Sequence, residues 1–179
     1  MDEALNHRLG ELLIELRDGN SLVLADIDAL IGKRLRAYAN IYYMQQPDVD
    51  DAVQSLLCKL YQASKSFREN KNAYSWIIKL FKNMIISQIR RVKREHDYIT
   101  QNKETFLYKN DSTSKEYVEN HVYYRDVLSS FKKSDREIIE YYFILEFSLS
   151  EVAKILRKPK STVEYQAQKI KEKLQNMID

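Results

Sequence analysis

The 179 residues carry 29 Lys and Arg against 26 Asp and Glu, with only three glycines, two prolines and one cysteine. One cysteine excludes an intrachain disulfide framework and a multi-cysteine zinc site, and His7, His96 and His121 lie far apart with no ligand spacing. The formal charge of +3 is small but uneven: the chain through Ile31 is mainly acidic, whereas Lys79 to Arg94 is basic without a single acid, which points to an anionic partner, nucleic acid being the usual one.

Apolar residues recur at helical rather than alternating spacing, so the chain reads as all-α. The first stretch, "MDEALNHRLGELLIEL", is acidic and amphipathic, with Leu5, Leu9, Leu12, Leu13 and Leu16 on one face. It lacks both an export-signal pattern and an apolar run near the ~18 residues that span a bilayer, so no membrane insertion is expected. Cys58 fits a reducing cytoplasm. Asp18-Gly19-Asn20 breaks the run. A second helix is expected from Asp26 to about Met44, with Ile27, Leu30, Ile31, Leu35, Tyr38, Ile41 and Tyr42 inward.

The stretch "QQPDVDDAVQSLLCKLYQA" predicts a third helix. Asp48 can cap it, Asp50 and Asp51 complement its dipole, and Val53, Leu56, Leu57 and Leu60 form its apolar stripe. Its outer face stays acidic and amide-rich. Capping and dipole account for the three aspartates, and no matching carboxylate cluster lies nearby, so no metal site is expected.

After the polar loop "SKSFRENKN", a long helix is predicted from Tyr74 to about Arg94, apolar through Ile77, Leu80, Phe81, Met84, Ile85 and Ile89. Lys79, Asn83, Ser87, Arg90 and Arg94 form a polar stripe along its other side. That stripe reads either as a phosphate-tracking surface or as a solvated charged face. Trp76 and Phe81 are assigned to the core, while Tyr74, at the loop edge, is open for stacking on unpaired bases. From Asp97 the chain turns polar and aperiodic, which sets a boundary: a domain over 1–96, a linker over 97–121 and a second domain over 122–179.

The last block holds three S-x-x-E boxes, "SDRE", "SLSE" and "STVE", each able to open a helix with a capping serine, and a further helix is expected near Val122 to Phe131. Leu149, Val152, Ala153 and Leu156 share one face, as do Val163, Ala167, Ile170 and Leu174. Between them, Arg157-Lys158-Pro159 cannot continue a helix and Ser161 restarts it. The pair reads as a helix-turn-helix, with Ser161, Thr162, Tyr165, Gln166 and Lys169 where base-reading side chains sit and Lys158 and Lys160 placed for phosphates. The alternative is a plain helical hairpin with a solvated basic face. No Gly-rich phosphate loop, nucleophile elbow or paired His and Cys arrangement occurs, so neither an enzyme nor a cofactor is expected.

Together these residues resemble the bacterial RNA polymerase sigma factors, most closely the small two-domain extracytoplasmic-function type of the sigma-70 family, over nearly the whole chain. "DVDDAVQSLLCKLY" is similar to the family's helix that docks on the clamp helices of the polymerase largest subunit, which implies polymerase contacts at Asp48, Asp50, Asp51 and Gln54. "YSWIIKLFKNMIISQIRRVKR" is similar to the helix that engages the minus-10 element as it opens. The resemblance implies that role for Trp76, Lys79, Lys82, Asn83, Arg90 and Arg91, with Tyr74 beside them and the loop Ser64 to Asn72 as the pocket for an extruded base.

The final helices look like the region that binds the minus-35 element. Arg157 stands where the family usually has glycine, Ser87 where it has aspartate, and Glu164 and Gln166 where basic residues are common. The implied function is an alternative sigma factor that binds core RNA polymerase and promoter DNA, with an inhibitory anti-sigma factor as the family's usual partner. Two other classes stay open: a polymerase-independent helix-turn-helix regulator, which leaves the acidic third helix unexplained, and a sigma-like interaction protein that has lost promoter reading, which Glu164 and Gln166 favour.

Overall fold

The computed structural model describes residues 3–43, 46–69, 72–101 and 127–177. Helices α1 (Glu3–Arg17), α2 (Val23–Ala39), α3 (Gln46–Ala63) and α4 (Ala73–Gln101) come first, with a 3-10 turn at Ser64–Ser66 before α4. Helix α5 (Lys133–Ile138) runs directly into a π-helical turn at Ile139–Ile144, and α6 (Leu149–Leu156) and α7 (Lys160–Gln175) follow. The described residues thus form the expected two helical units.

The N-terminal unit is built on apolar stripes that meet at one core. Leu9, Leu12, Leu13 and Leu16 of α1 are buried against Ile27, Ile31 and Leu35 of α2, Val53, Leu56 and Leu60 of α3, and Ile77, Phe81 and Ile85 of α4. Each such side chain contributes roughly 1.5–3 kcal/mol by leaving water, which offsets the ordering of four helices. Gly32 of α2 has a packing reason: a Cβ there would come 2.1 Å from Asp28 Oδ1 and 2.5 Å from Arg36 Nη1. The bare backbone lets the Arg36 guanidinium lie along the helix and donate to Asp28 at 2.9 Å.

Several boundaries differ from expectation. Helix α2 starts earlier than Asp26 and stops at Ala39, so Ile41 and Tyr42 lie in the following turn, where their amides donate to Tyr38 and Ala39 carbonyls. Leu30 is 40% exposed rather than inward, because it lies beyond the edge of the arc defined by Ile27 and Ile31. Helix α3 begins at Gln46, which puts Asp48 inside its first turn, where it complements the dipole instead of capping. Helix α4 continues through Gln101, past the boundary expected at Asp97. The rest of the expected linker and the start of the second unit, residues 102–126, fall outside the described residues.

In the C-terminal unit, Ile138, Leu145, Phe147, Val152, Val163 and Ile170 are buried together. Of the three S-x-x-E boxes, the one at Ser148 and Glu151 forms: the Ser148 hydroxyl accepts from the Glu151 amide and the Glu151 carboxylate accepts from the Ser148 amide. The other two do not. Lys132, extended, is the N-cap of α5, which places Ser134 within the helix. Pro159 is the N-cap of α7, its fixed φ of −57° leading straight into the helix, so Ser161 is already helical. Glu164 is thereby released from capping and pairs with Lys160 at 3.2 Å, one turn away.

Candidate nucleic-acid interface

Three surfaces carry the side chains that matter. On α3, Asp48, Asp51 and Gln54 are exposed on one side of the helix. Asp50 is held differently: Arg36 Nε donates to its Oδ1 at 2.9 Å, while the same guanidinium bonds Asp28. The Arg36 pKa is raised, chiefly by the Asp28 bond, with the Asp50 bond adding to it against the cost of burial. Arg36 was not singled out from sequence, although its place two helical turns after Asp28 was a usable signal.

Helix α4 has two faces. Lys79, Asn83, Arg90 and Arg91 are exposed along the expected basic stripe, with Ser87 among them. Tyr74 is buried on the other face, and Lys82, which helical spacing puts between Ile78 and Lys79 at the edge of the stripe, is drawn out of solvent by its pair with Glu140. Trp76 is half-buried with its ring edge-on to Phe67 at 5.3 Å, and Phe81 is in the core. In the loop before α4, Ser64 is buried and donates to the Tyr61 carbonyl, and the Asn72 carboxamide accepts from the Ser75 amide at 2.8 Å, capping the helix.

The helix-turn-helix forms as expected. Arg157 adopts the left-handed conformation at φ 54° after α6, and the Lys158 amide reaches back to the Ala153 carbonyl at 3.0 Å. This is the Schellman arrangement. On α7, Ser161, Thr162 and Tyr165 are exposed. Lys169 stands 4.7 Å from the Tyr165 ring centroid, and its pKa is raised first by the hydrogen bond to that phenol. Lys158 donates to the Gln166 side chain at 3.2 Å. Tyr165, Gln166 and Lys169 line a groove of about 720 Å³ between α7 and the start of α5, where Lys132 and Lys173 supply further cations that the sequence reading passed over.

The fourth feature lies between the units. The π-helical turn and the residues after it sit over α2 and α4, and Lys82 Nζ donates to Glu140 Oε2 at 3.0 Å while standing 4.1 Å from the Tyr141 ring centroid. The Tyr42 hydroxyl donates to the other Glu140 oxygen at 3.0 Å. Tyr74 is buried, its hydroxyl donating to the Leu145 carbonyl at 2.6 Å and its ring 5.1 Å from that of Phe147. Arg34 pairs with Glu146, which holds a left-handed backbone at φ 53°. The expectation that Tyr74 stands open at the loop edge is therefore corrected: the C-terminal unit covers it.

Among the described residues no helix is long and apolar enough to cross a membrane. Among the described residues, an acidic helix, a basic helix and a helix-turn-helix make up a two-unit, all-helical architecture. Residues 30–95 match the family model "Sigma-70 region 2". No curated protein matches the sequence. Among solved structures, the chain is similar to CnrH, solved in complex with the cytosolic domain of CnrY, at 19% identity and a TM-score of 0.64, over 98% of this chain and 97% of that one. It is also similar to the sigma factor RpoE of Bartonella quintana, in complex with the anti-sigma factor NepR, at 20% identity and a TM-score of 0.56, over 86% of this chain and 95% of that one. Residues 30–95, from α2 to α4, thus carry a match to sigma-70 region 2, and the chain shares the helical fold of these two solved structures.

Proposed function

We propose that the chain is an alternative sigma factor that binds core RNA polymerase and directs promoter-specific transcription initiation in the cytoplasm. The observation that carries this reading is the arrangement within the matched region: one helix, α3, presents acids and an amide outward, and the next, α4, presents Lys79, Asn83, Arg90 and Arg91 along an exposed stripe. Asp48, Asp51 and Gln54 would face polymerase, with Asp50 shaping the face through Arg36. The α4 stripe, with Tyr74 and Lys82 once uncovered, would hold the minus-10 strand. Lys158, Lys160, Ser161, Thr162, Tyr165, Gln166 and Lys169 would meet the minus-35 duplex.

Glu164 bears on whether promoter reading is retained. Its carboxylate is engaged by Lys160, which softens its repulsion of phosphate, and exposed pairs of this kind are worth little and exchange readily. An anti-sigma partner fits as well, since the similar RpoE was solved with one. The chain itself performs no covalent step in this role. The test is transcription by bacterial core polymerase from a promoter library with and without the chain. Transcripts that start at a shared pair of sequence elements are expected only when the chain is present, and their disappearance on Arg90→Ala, Arg91→Ala substitution ties them to α4. A chain that binds polymerase yet yields no new start sites would instead be a sigma-like interaction protein.

A further inference from the structure

One side-chain bond in the helix-turn-helix bears on what its second helix reads. Thr162, Gln166, Lys169 and Lys173 follow one another along α7 at spacings of four, three and four, so they form one line on its face. Glu164 is turned to the far side, where it pairs with Lys160. Within the line, Gln166 and Lys169 open on the groove beside α5. The Gln166 side chain accepts from Lys158 Nζ at 3.2 Å, across the turn between α6 and α7. A lysine ammonium has three donors and no acceptor, so the atom it meets is the carboxamide oxygen. The bond thereby orients the carboxamide: the oxygen is held toward Lys158 and the NH2 points away from it.

A carboxamide with its oxygen open pairs with adenine, accepting from N6 and donating to N7. With an ammonium already on that oxygen, N6 would bring a second donor beside a positive charge. Guanine instead meets the same place with two acceptors, O6 and N7. We propose that Lys158 is a positioning residue which, through Gln166, sets α7 to read guanine rather than adenine in the major groove of duplex DNA. The proposal rests on the reading of α7 as a duplex-reading helix and deepens it. Gln166 touches the base, and Lys158 acts through Gln166.

The test is selection from a random duplex DNA library by the full chain, alone and bound to bacterial core RNA polymerase, with the enriched sequences compared position by position. Gln166→Ala identifies the base pair that Gln166 reads, as the one position whose preference disappears. There the wild type is expected to favour guanine over adenine by at least about fivefold. Lys158→Arg, whose guanidinium also has donors only, keeps that order, and Lys158→Met reverses it toward adenine. Preferences at the other positions stay as they are and report an intact fold. A lysine that only holds phosphate behaves differently: Lys158→Met would weaken binding to all sequences alike and lower the salt slope by about 0.9. That outcome overturns the proposal, as does an adenine preference in the wild type or a Gln166→Ala selection that matches the wild type. Enrichment of no sequence in either arm removes the duplex-reading role of α7 and the proposal with it. Enriched sequences with an unchanged guanine preference in Lys158→Met leave that role standing and sink the positioning role alone.

Discussion

Arg157 occupies a backbone region that costs an L-residue about 1–2 kcal/mol and glycine almost nothing. Its side chain is exposed, so Arg157→Gly is expected to stabilise the helix-turn-helix by about 1 kcal/mol, read as a higher urea midpoint with an unchanged slope. At the other end of α6, Ser148→Ala is expected to cost about 1 kcal/mol at neutral pH by removing the cap. The pH dependence has a definite sign. Burial alone would raise the Glu151 pKa, but hydrogen bonds, those from Ser148 foremost, leave it below the ordinary 4.5. Its contribution is therefore present above 4.5 and lost as pH falls through the lower folded value, so the penalty of Ser148→Ala should shrink in acid. Unfolding midpoints of both proteins between pH 7 and 3 check this. The motif at Ser148 was legible because the four residues from Ser148 to Glu151 contain all its parts. The boxes at Ser134 and Ser161 failed because backbone just upstream, Lys132 and Pro159, had already started the helix.

Helix by helix, the order of elements and most of the core could be read from periodicity alone, since burying one stripe per helix leaves little choice of face. The ends were less legible, as in α4, whose polar final turns resemble a linker in composition. Lys82 shows the same limit on a face. Composition and spacing alike leave it beside Lys79, whereas its partner Glu140, 58 positions away, draws it into the contact between the units. This division makes an element-scale prediction. If the exposed stripe tracks phosphates, Lys79→Ala and Arg90→Ala should each lower the salt slope of single-strand binding by about 0.7. The check is affinity for an oligonucleotide across a salt series, and a slope indifferent to both would leave the stripe as a solvated face.

At the scale of the whole molecule, nothing in the sequence announced that the two units touch. The pairs that join them lie 58, 71, 98 and 112 positions apart, and no local pattern encodes a partner at that range. Lys82 shows the balance at this contact: burial alone would lower its pKa, but Glu140 and the Tyr141 hydroxyl outweigh this and raise it above 10.5. The pair therefore contributes fully below pH 10.5 and is lost only as pH rises through the higher folded value, so closure should be insensitive to pH near neutrality. Tyr74→Phe keeps the ring against Phe147 but leaves the Leu145 carbonyl without its donor. The expected cost is about 1 kcal/mol, or roughly fivefold in the opening constant, measurable as faster hydrogen exchange along Ile139–Ile144.

The central claim is that α3 docks this chain on core RNA polymerase, and an equilibrium titration of the chain against bacterial core enzyme tests it most directly. Asp48→Lys with Asp51→Lys is the informative variant, because both side chains are exposed and the Arg36 to Asp50 bond is left in place. The account predicts saturable binding by the wild type and a loss of at least about tenfold in the variant, which stays folded although a lysine in place of Asp48 lowers its unfolding midpoint slightly. No binding by the folded wild-type chain, or equal binding by the variant, would contradict it.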